Sequence, residues 1–374
     1  MRYSLECEFM KLMDKFPFLR HKSNKKFMFL YVLALIKSRS VQFCETATHL
    51  NSEVKDESNE NRIQDFFRTT IIDYKELALL FYCTFPCHQK LDIIIDRTEW
   101  DFGKSQHNIL MIIISNRTVA IPFYWEMLDN KSGNSNTSNR IELVQKCLSL
   151  IPASRISVVL GDREFIGHDW FKYLKDNNIQ FCFRIPKNHH IMYLDEDMNE
   201  QIHLASNLQT QYPKGIIFKD YFVDGICGNV YVGTDKSGEL LFLFGTFAPK
   251  TLPKYYERRW TIETIFQDFK GRGFNLENTH LRDAQKLKKL IACVSLAYNL
   301  CKNIGVYKHK KKRILIKKHG RKKNSFFRTG LNYIRNLFKK KEELCRILTI
   351  IFRTITINLA CLTPFLSKQV ILRV

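Results

Sequence analysis

Acidic residues are scarce in this chain of 374: 37 Asp and Glu stand against 59 Lys and Arg, a formal net charge of +22. So one-sided a field repels itself and draws in polyanions, and nucleic acid is the polyanion it points to first. Composition alone leaves a membrane surface and a lysine-rich proteome as rival readings. A secretory leader is not expected, since "MRYSLECEFMKLMDKF" mixes charges of both signs without an apolar stretch. The eleven cysteines are odd in number and follow no regular spacing. A disulfide framework is therefore not expected, and reduced thiols in a cytosolic compartment are. The apolar runs at 27–36 and 109–114 fall short of the roughly 20 residues a bilayer requires. The longer run at 344–366 carries Arg346 and Arg353 inside it, so an amphipathic or buried helix is expected there, in a soluble protein. No internal repeat is present.

What is there falls into segments. Domains commonly run to about 100 to 200 residues, so the length admits two or three. Residues 1–80 read as helices, either a small DNA-binding unit or a plain helical cap, and no turn glycine marks a helix-turn-helix. From residue 91 the period changes. "LDIIID", "NILMIIIS" and "TVAIPFYW" are short β-branched and aromatic runs between polar turns, which predicts three consecutive strands. A helix near 138–150, the strand "RISVVL", a helix around "HDWFKYLKD" and the strand "IQFCFRI" follow. Three strands, helix, strand, helix, strand make an α/β domain with a mixed sheet, the order of a ribonuclease H-like core. Its first part spans 81–185. A β-rich insertion is expected at 186–250, the second part of the core at 251–306, and a basic, helical C-terminal region at 307–374. The last begins with ten Lys or Arg between Lys308 and Lys323, a segment suited to phosphate contacts.

Three carboxylates stand out. Asp96 closes the apolar run "DIIID" and Asp162 follows "SVVLG", so both are expected at strand ends, where ligands of open α/β sheets collect. Either alone also fits an ordinary turn or helix cap. Glu263 lies in "PKYYERRWTIETIFQDFK". On a continuous helix, Tyr256, Arg259, Glu263 and Lys270 would share an arc of roughly 60°. Ile262, Ile265, Phe266 and Phe269 form the adjoining apolar stripe. A salt-bridged surface helix fits the Arg259/Glu263 spacing equally well. Three carboxylates beside cations suit phosphoryl transfer, because oxygen donors hold Mg²⁺ or Mn²⁺ and basic neighbours hold phosphates.

These residues resemble the bacterial insertion-sequence transposases of the DDE type, whose signature is Y-x2-R-x3-E-x6-K. Tyr256, Arg259, Glu263 and Lys270 meet every interval of it, and "IIIDRTEW" and "VVLGDREF" look like the two aspartate blocks. The resemblance spans most of 60–340. It implies a ribonuclease H-like core with a β-stranded insertion, and metal-dependent excision and strand transfer of a mobile element. Asp96, Asp162 and Glu263 would be catalytic metal ligands for two Mg²⁺ ions, with Mn²⁺ able to substitute. Tyr256, Arg259 and Lys270 would contact DNA. The implied partners are double-stranded DNA with terminal inverted repeats, target DNA, and a second copy of the chain in a synaptic dimer. The implied location is the bacterial cytoplasm, at the nucleoid. A nuclease without joining activity and a decayed DNA-binding protein are the alternatives. In some relatives a base flipped by hairpin formation rests on an aromatic of the insertion. Here the tryptophans are Trp100, Trp125, Trp170 and Trp260, all outside it, which leaves Tyr193, Phe218, Tyr221, Phe222 or Tyr231.

Two weaker signals remain. Cys83, Cys87 and His88 sit close together, but no second Cys or His pair follows at zinc-finger spacing. His189 and His190 read as polar loop residues rather than ligands.

Overall fold

The structure is a computed structural model and describes residues 5–51, 53–102, 105–129, 133–211, 216–235, 237–318 and 320–371. The N-terminal helices are α1 (Leu5–Lys15), α2 (Lys22–Ser38), α3 (Phe43–Ala47), α4 (Asp56–Thr69) and α5 (Tyr74–Tyr82). Asp73 starts α5 by accepting from the backbone N–H groups of Lys75 and Glu76, which satisfies two otherwise orphaned donors.

The apolar runs form strands as their period predicts. β1 (Leu91–Phe102), β2 (Ser105–Ser115) and β3 (Ala120–Leu128) make an antiparallel meander. Ile93, Ile94, Ile95 and Ile109 to Ile114 are fully buried. Both faces of the sheet are covered there, so the runs are continuous rather than alternating. α6 (Thr137–Leu148) leads to β4 (Ile156–Gly161), and α7 (His168–Asp176) to β5 (Phe181–Arg184). β4 lies parallel to β1, and β5 parallel to β4.

One expectation about β1 is corrected. The strand does not end at Asp96 but continues to Phe102, held by β2 through pairs such as Arg97↔Leu110 and Trp100↔His107. Asp96 instead marks where β4 stops beside it.

The segment 186–250 contains β6 (His190–Leu194), β7 (Glu200–Leu204), α8 (Ala205–Gln211), β8 (Ile216–Val223), β9 (Ile226–Thr234) and β10 (Leu240–Gly245). β10 pairs antiparallel with β5. The segment thereby extends the core into one ten-stranded mixed sheet, in the order β3-β2-β1-β4-β5-β10-β9-β8-β6-β7.

The chain then enters α9 (Leu252–Tyr256), a 3-10 turn at Glu257–Arg259, and α10 (Trp260–Phe269). The single helix expected through Lys270 is thus broken, and Lys270 lies past its end with ψ −142°. α11 (Ala284–Lys311), α12 (Phe326–Leu337) and α13 (Lys341–Ile371) complete the chain. α11 and α13 are each long and apolar enough to cross a membrane. α11, however, is packed between β3, α2, α4 and α12, as a core helix of this sheet. α13 rests one side on α1, α11 and α12. α11 and α12 cross backbone to backbone at Gly305 and Gly330. A Cβ on Gly330 would stand 1.7 Å from the Cys301 carbonyl oxygen, so only glycine permits the approach.

Candidate active site

The β1/β4 register fixes the first two carboxylates. Ile94 pairs with Leu160, and two residues further along the parallel pair Asp96 comes beside Asp162. Asp96 Oδ1 accepts from the Arg97 backbone N–H at 2.8 Å, and Asp162 Oδ1 accepts from that of Arg163 at 2.8 Å. Each acid therefore has one oxygen turned by its own following amide.

The α9–α10 segment brings the other residues over this point. The Tyr256 hydroxyl donates to Asp162 Oδ1 at 3.1 Å. Arg259 spans two acids, with Nη1 3.4 Å from Asp96 Oδ2 and Nη2 2.5 Å from Glu263 Oε1. Five of the six residues singled out in the sequence thus meet, drawn from β1, the β4 end and the broken helix. Lys270 does not join them, and pairs with Glu277 at 2.8 Å. Arg259 is nearly buried, at 8% exposure, and faces the acids rather than the surface.

Electrostatics follow from this crowding. Burial pushes the Asp96 carboxyl up to about 7, opposed by Arg259 and the Arg97 N–H and reinforced by Asp162 and Glu164. Burial would lower the Arg259 guanidinium, yet Tyr256, Asp162, Asp96 and Glu263 together hold it above its ordinary value. Burial also raises the Tyr256 phenol, with Arg259 opposing and Asp162 adding, so the phenol stays neutral and keeps its proton to donate.

Two features have no counterpart in the sequence motifs. Glu164 accepts from Arg97 Nε at 2.9 Å and from the Ser135 hydroxyl at 3.1 Å, bracing the loop that carries Asp162. Arg258 reaches Asp92 on β1 at 3.2 Å, so the doublet Arg258–Arg259 grips one strand at Asp92 and Asp96. The doubled arginine and the four-residue spacing of the aspartates are the signal that could have revealed it. Asp92 is 2% exposed, and burial raises its pKa against the opposing Arg258 and Ser157.

The donors are all oxygen, as Mg²⁺ and Mn²⁺ prefer. Among the described residues, no three His, Cys, Asp or Glu side chains are drawn around one point. The Arg259 guanidinium stands between Asp96 and Glu263, as a cation already accommodated by the acids. The carboxylates fit a divalent cation by the chemistry of their donors, and in this structure Arg259 pairs with two of them.

Other expected features have ordinary roles. Cys83 is buried, and no disulfide is formed among the described residues. His189 Nε2 lies 3.0 Å from Asp224 Oδ1 in a loop pair. Among the aromatics of 186–250, Tyr193 stacks on Tyr221 at 4.9 Å, and Phe218 meets Tyr221 at 4.7 Å.

Among solved structures, the chain is similar to the piggyBac transposase synaptic complex with hairpin DNA determined by cryo-EM. Identity is 11% and the TM-score 0.44, covering 96% of this chain and 82% of that one. No curated protein matches the sequence. The family model described as transposase DDE domain matches residues 88–300, more than half of the chain and the whole stretch from β1 to α10. The chain therefore belongs to the DDE transposase family and is a DDE-type DNA transposase, one of a family whose members use divalent metal ions.

Proposed function

We propose that this transposase excises an insertion sequence and joins its ends to target DNA, using Asp96, Asp162 and Glu263 as the acidic triad of a ribonuclease H-like core. The strand order β3-β2-β1-β4-β5, antiparallel then parallel, supports that core. The observation that carries the reading is the Arg259 guanidinium seated between Asp96 and Glu263 while Tyr256 holds Asp162.

Two Mg²⁺ ions, or Mn²⁺, held by the three carboxylates would activate the attacking oxygen and offset charge on the leaving one. The chain's own residues do the positioning. The neutral Tyr256 phenol donates to Asp162 and fixes its rotamer. Arg258 anchored on Asp92 sets the placement of its neighbour Arg259. Arg259, freed from the acids, and Lys270, freed from Glu277, would hold phosphates of the transposon end together with Tyr256.

In the first reaction water attacks the phosphodiester at the element's 3′ end, leaving a 3′ hydroxyl on the element and a 5′ phosphate on the flank. In the second, that hydroxyl attacks a target phosphodiester, and one P–O bond forms as another breaks. The partners are DNA ends with inverted repeats, target DNA and a second copy that joins on DNA, in the bacterial cytoplasm at the nucleoid.

The test is Mg²⁺-dependent cleavage and joining of a DNA fragment carrying the ends of the element that flanks this gene. Joining by wild type, with none by Glu263→Gln or Asp162→Asn while both still bind DNA, is the expected result. Cleavage without joining would make the chain a nuclease, and binding without cleavage a DNA-binding protein. Full cleavage by either variant would remove that residue from the mechanism.

A further inference from the structure

A second cationic centre lies at the far end of α10. The chain turns sharply at Gly271–Gly273, where a Cβ on Gly273 would stand 1.9 Å from the Asp268 carbonyl oxygen. The turn presents the carbonyl of Arg272, and two guanidiniums converge on it. Arg39 Nη2 donates at 3.3 Å from the end of α2, where Arg39 has φ 61°. Arg328 Nη2 donates from the first turn of α12. Three segments far apart in sequence thus meet, with the guanidiniums of Arg39 and Arg328 on the backbone of Arg272, whose own side chain is exposed.

Among the described residues, no carboxylate stands at ion-pair distance from Arg39, Arg272, Arg328 or Arg335. The acid that acts on Arg272 and Arg328 is Asp268, buried at 5% exposure beneath the turn. Burial raises Asp268 to about 6, against Lys302, Arg328 and Arg272. Burial lowers the Arg39 guanidinium, and the like charges of Arg328 and Arg335 lower it further. Arg39 Nε is buried without a hydrogen-bond partner. Guanidiniums keep their charge in a protein, so an anion joining Arg39 and Arg328 would offset their mutual repulsion, and planar N–H forks suit phosphate.

We infer that Arg39, Arg272 and Arg328 form a second phosphate-binding site, separate from the carboxylates, that holds the backbone of duplex DNA. The inference rests on the transposase reading and adds a site of DNA contact to it. Glu263 and Lys270 are separated by about 10 Å of helical rise. That is roughly three base steps of a duplex, short enough for one bound duplex to span both sites. The site also ties α2 and α12 to the DNA, which gives both flanking helical regions a part in the grip.

The experiment measures how the affinity of the full-length protein for a duplex oligonucleotide of unrelated sequence depends on salt. Wild type is compared with Arg272→Gln, Arg272→Gln/Arg328→Gln and Arg68→Gln. Arg272 is exposed and supplies only its carbonyl to the hydrogen bonds, so Arg272→Gln keeps them and the fold. Each phosphate that a variant no longer neutralises should flatten the log–log slope by about 0.9. A fourfold rise in salt should then cost wild type about tenfold more affinity than the double variant. Arg68, already paired with Asp65 at 2.7 Å, should change nothing. Slopes unchanged by Arg272→Gln, or flattened equally by Arg68→Gln, overturn the site. Wild type that binds no duplex overturns the transposase reading and the site with it. Inorganic phosphate that raises the wild-type unfolding temperature, with DNA slopes unaffected by Arg272→Gln, would make this a small-anion site instead.

Discussion

Replacing Asp96 by asparagine should end catalysis and make the protein more stable. The Asp96 carboxyl sits at about 7 in the folded chain against an ordinary 3.8, with burial as the main cause. Between those values the native state holds a proton that the unfolded state has released, so stability falls as pH rises. Below the unfolded value both states are protonated and nothing is lost. Above the folded value both are ionised and the loss is complete. A shift of roughly three pK units at about 1.36 kcal/mol each gives a penalty on the order of 4 kcal/mol near pH 8. Asparagine has the same shape and no charge to desolvate, and Arg259 keeps Glu263 as its partner. Urea denaturation of both proteins in chelator is the assay. The variant should be more stable by about 4 kcal/mol near pH 8, the gap shrinking below about 2 kcal/mol near pH 5. Mg²⁺ at about 100 times its dissociation constant should return about 2.7 kcal/mol to wild type and little to the variant. A variant no more stable than wild type near pH 8, or a gap independent of pH, would refute the reasoning.

Two further perturbations test the frame around the site. Arg258→Met leaves Asp92 buried without its cation, which should cost about 3 to 5 kcal/mol near neutral pH. Because the Asp92 pKa is already raised, protonation should relieve part of that cost in acid. Chemical denaturation at two pH values checks it, and a loss under about 1 kcal/mol would mean the pair does not hold the segment. Gly330→Ala should destabilise by about 2 kcal/mol or more, because overpacking outweighs a helix-propensity gain of about 1 kcal/mol. An unchanged or higher unfolding midpoint would show that the α11–α12 crossing can open without penalty.

Much of the architecture is legible in the sequence because burial on both faces writes continuous apolar runs, as in Ile93–Ile95 and Ile109–Ile114. The run of β1 beyond Asp96 is hidden because "DRTEWDF" is mostly charged, and its weak alternation, with Trp100 inward and Arg97 and Glu99 outward, is too short to stand out. The meeting of Tyr256 and Arg259 with the acids is not legible from spacing alone, which a salt-bridged surface helix fits equally well; it follows from the resemblance to the Y-x2-R-x3-E-x6-K signature, although a 3-10 turn interrupts the helix that spacing implies. The break has no glycine, and its one proline, Pro253, sits at the start of α9 where proline is tolerated. Lys270 departs from the expected face for a readable reason. Its neighbours Gly271 and Gly273 end the helix, and a fixed angular step per residue ignores them. The arginine cluster leaves no trace in the sequence, since Arg39, Arg272 and Arg328 share no local pattern and meet only through the packing of α2 and α12.

The union of β10 with β5 has a consequence for when this protein becomes dangerous to DNA. Strand β5 ends at Arg184, and its neighbour β10 starts at Leu240, so the chain must close a long excursion before the pair can form. Such non-local pairings form slowly. α9 packs on β4, β5 and β10, so it gains its full seat, and α10 with it, only once this pairing is made. During synthesis the third acid is therefore the last to arrive. On the proposed triad, a ribosome-bound or truncated chain that stops before α10 would carry Asp96 and Asp162 at two central strands without Glu263, and should not cut DNA.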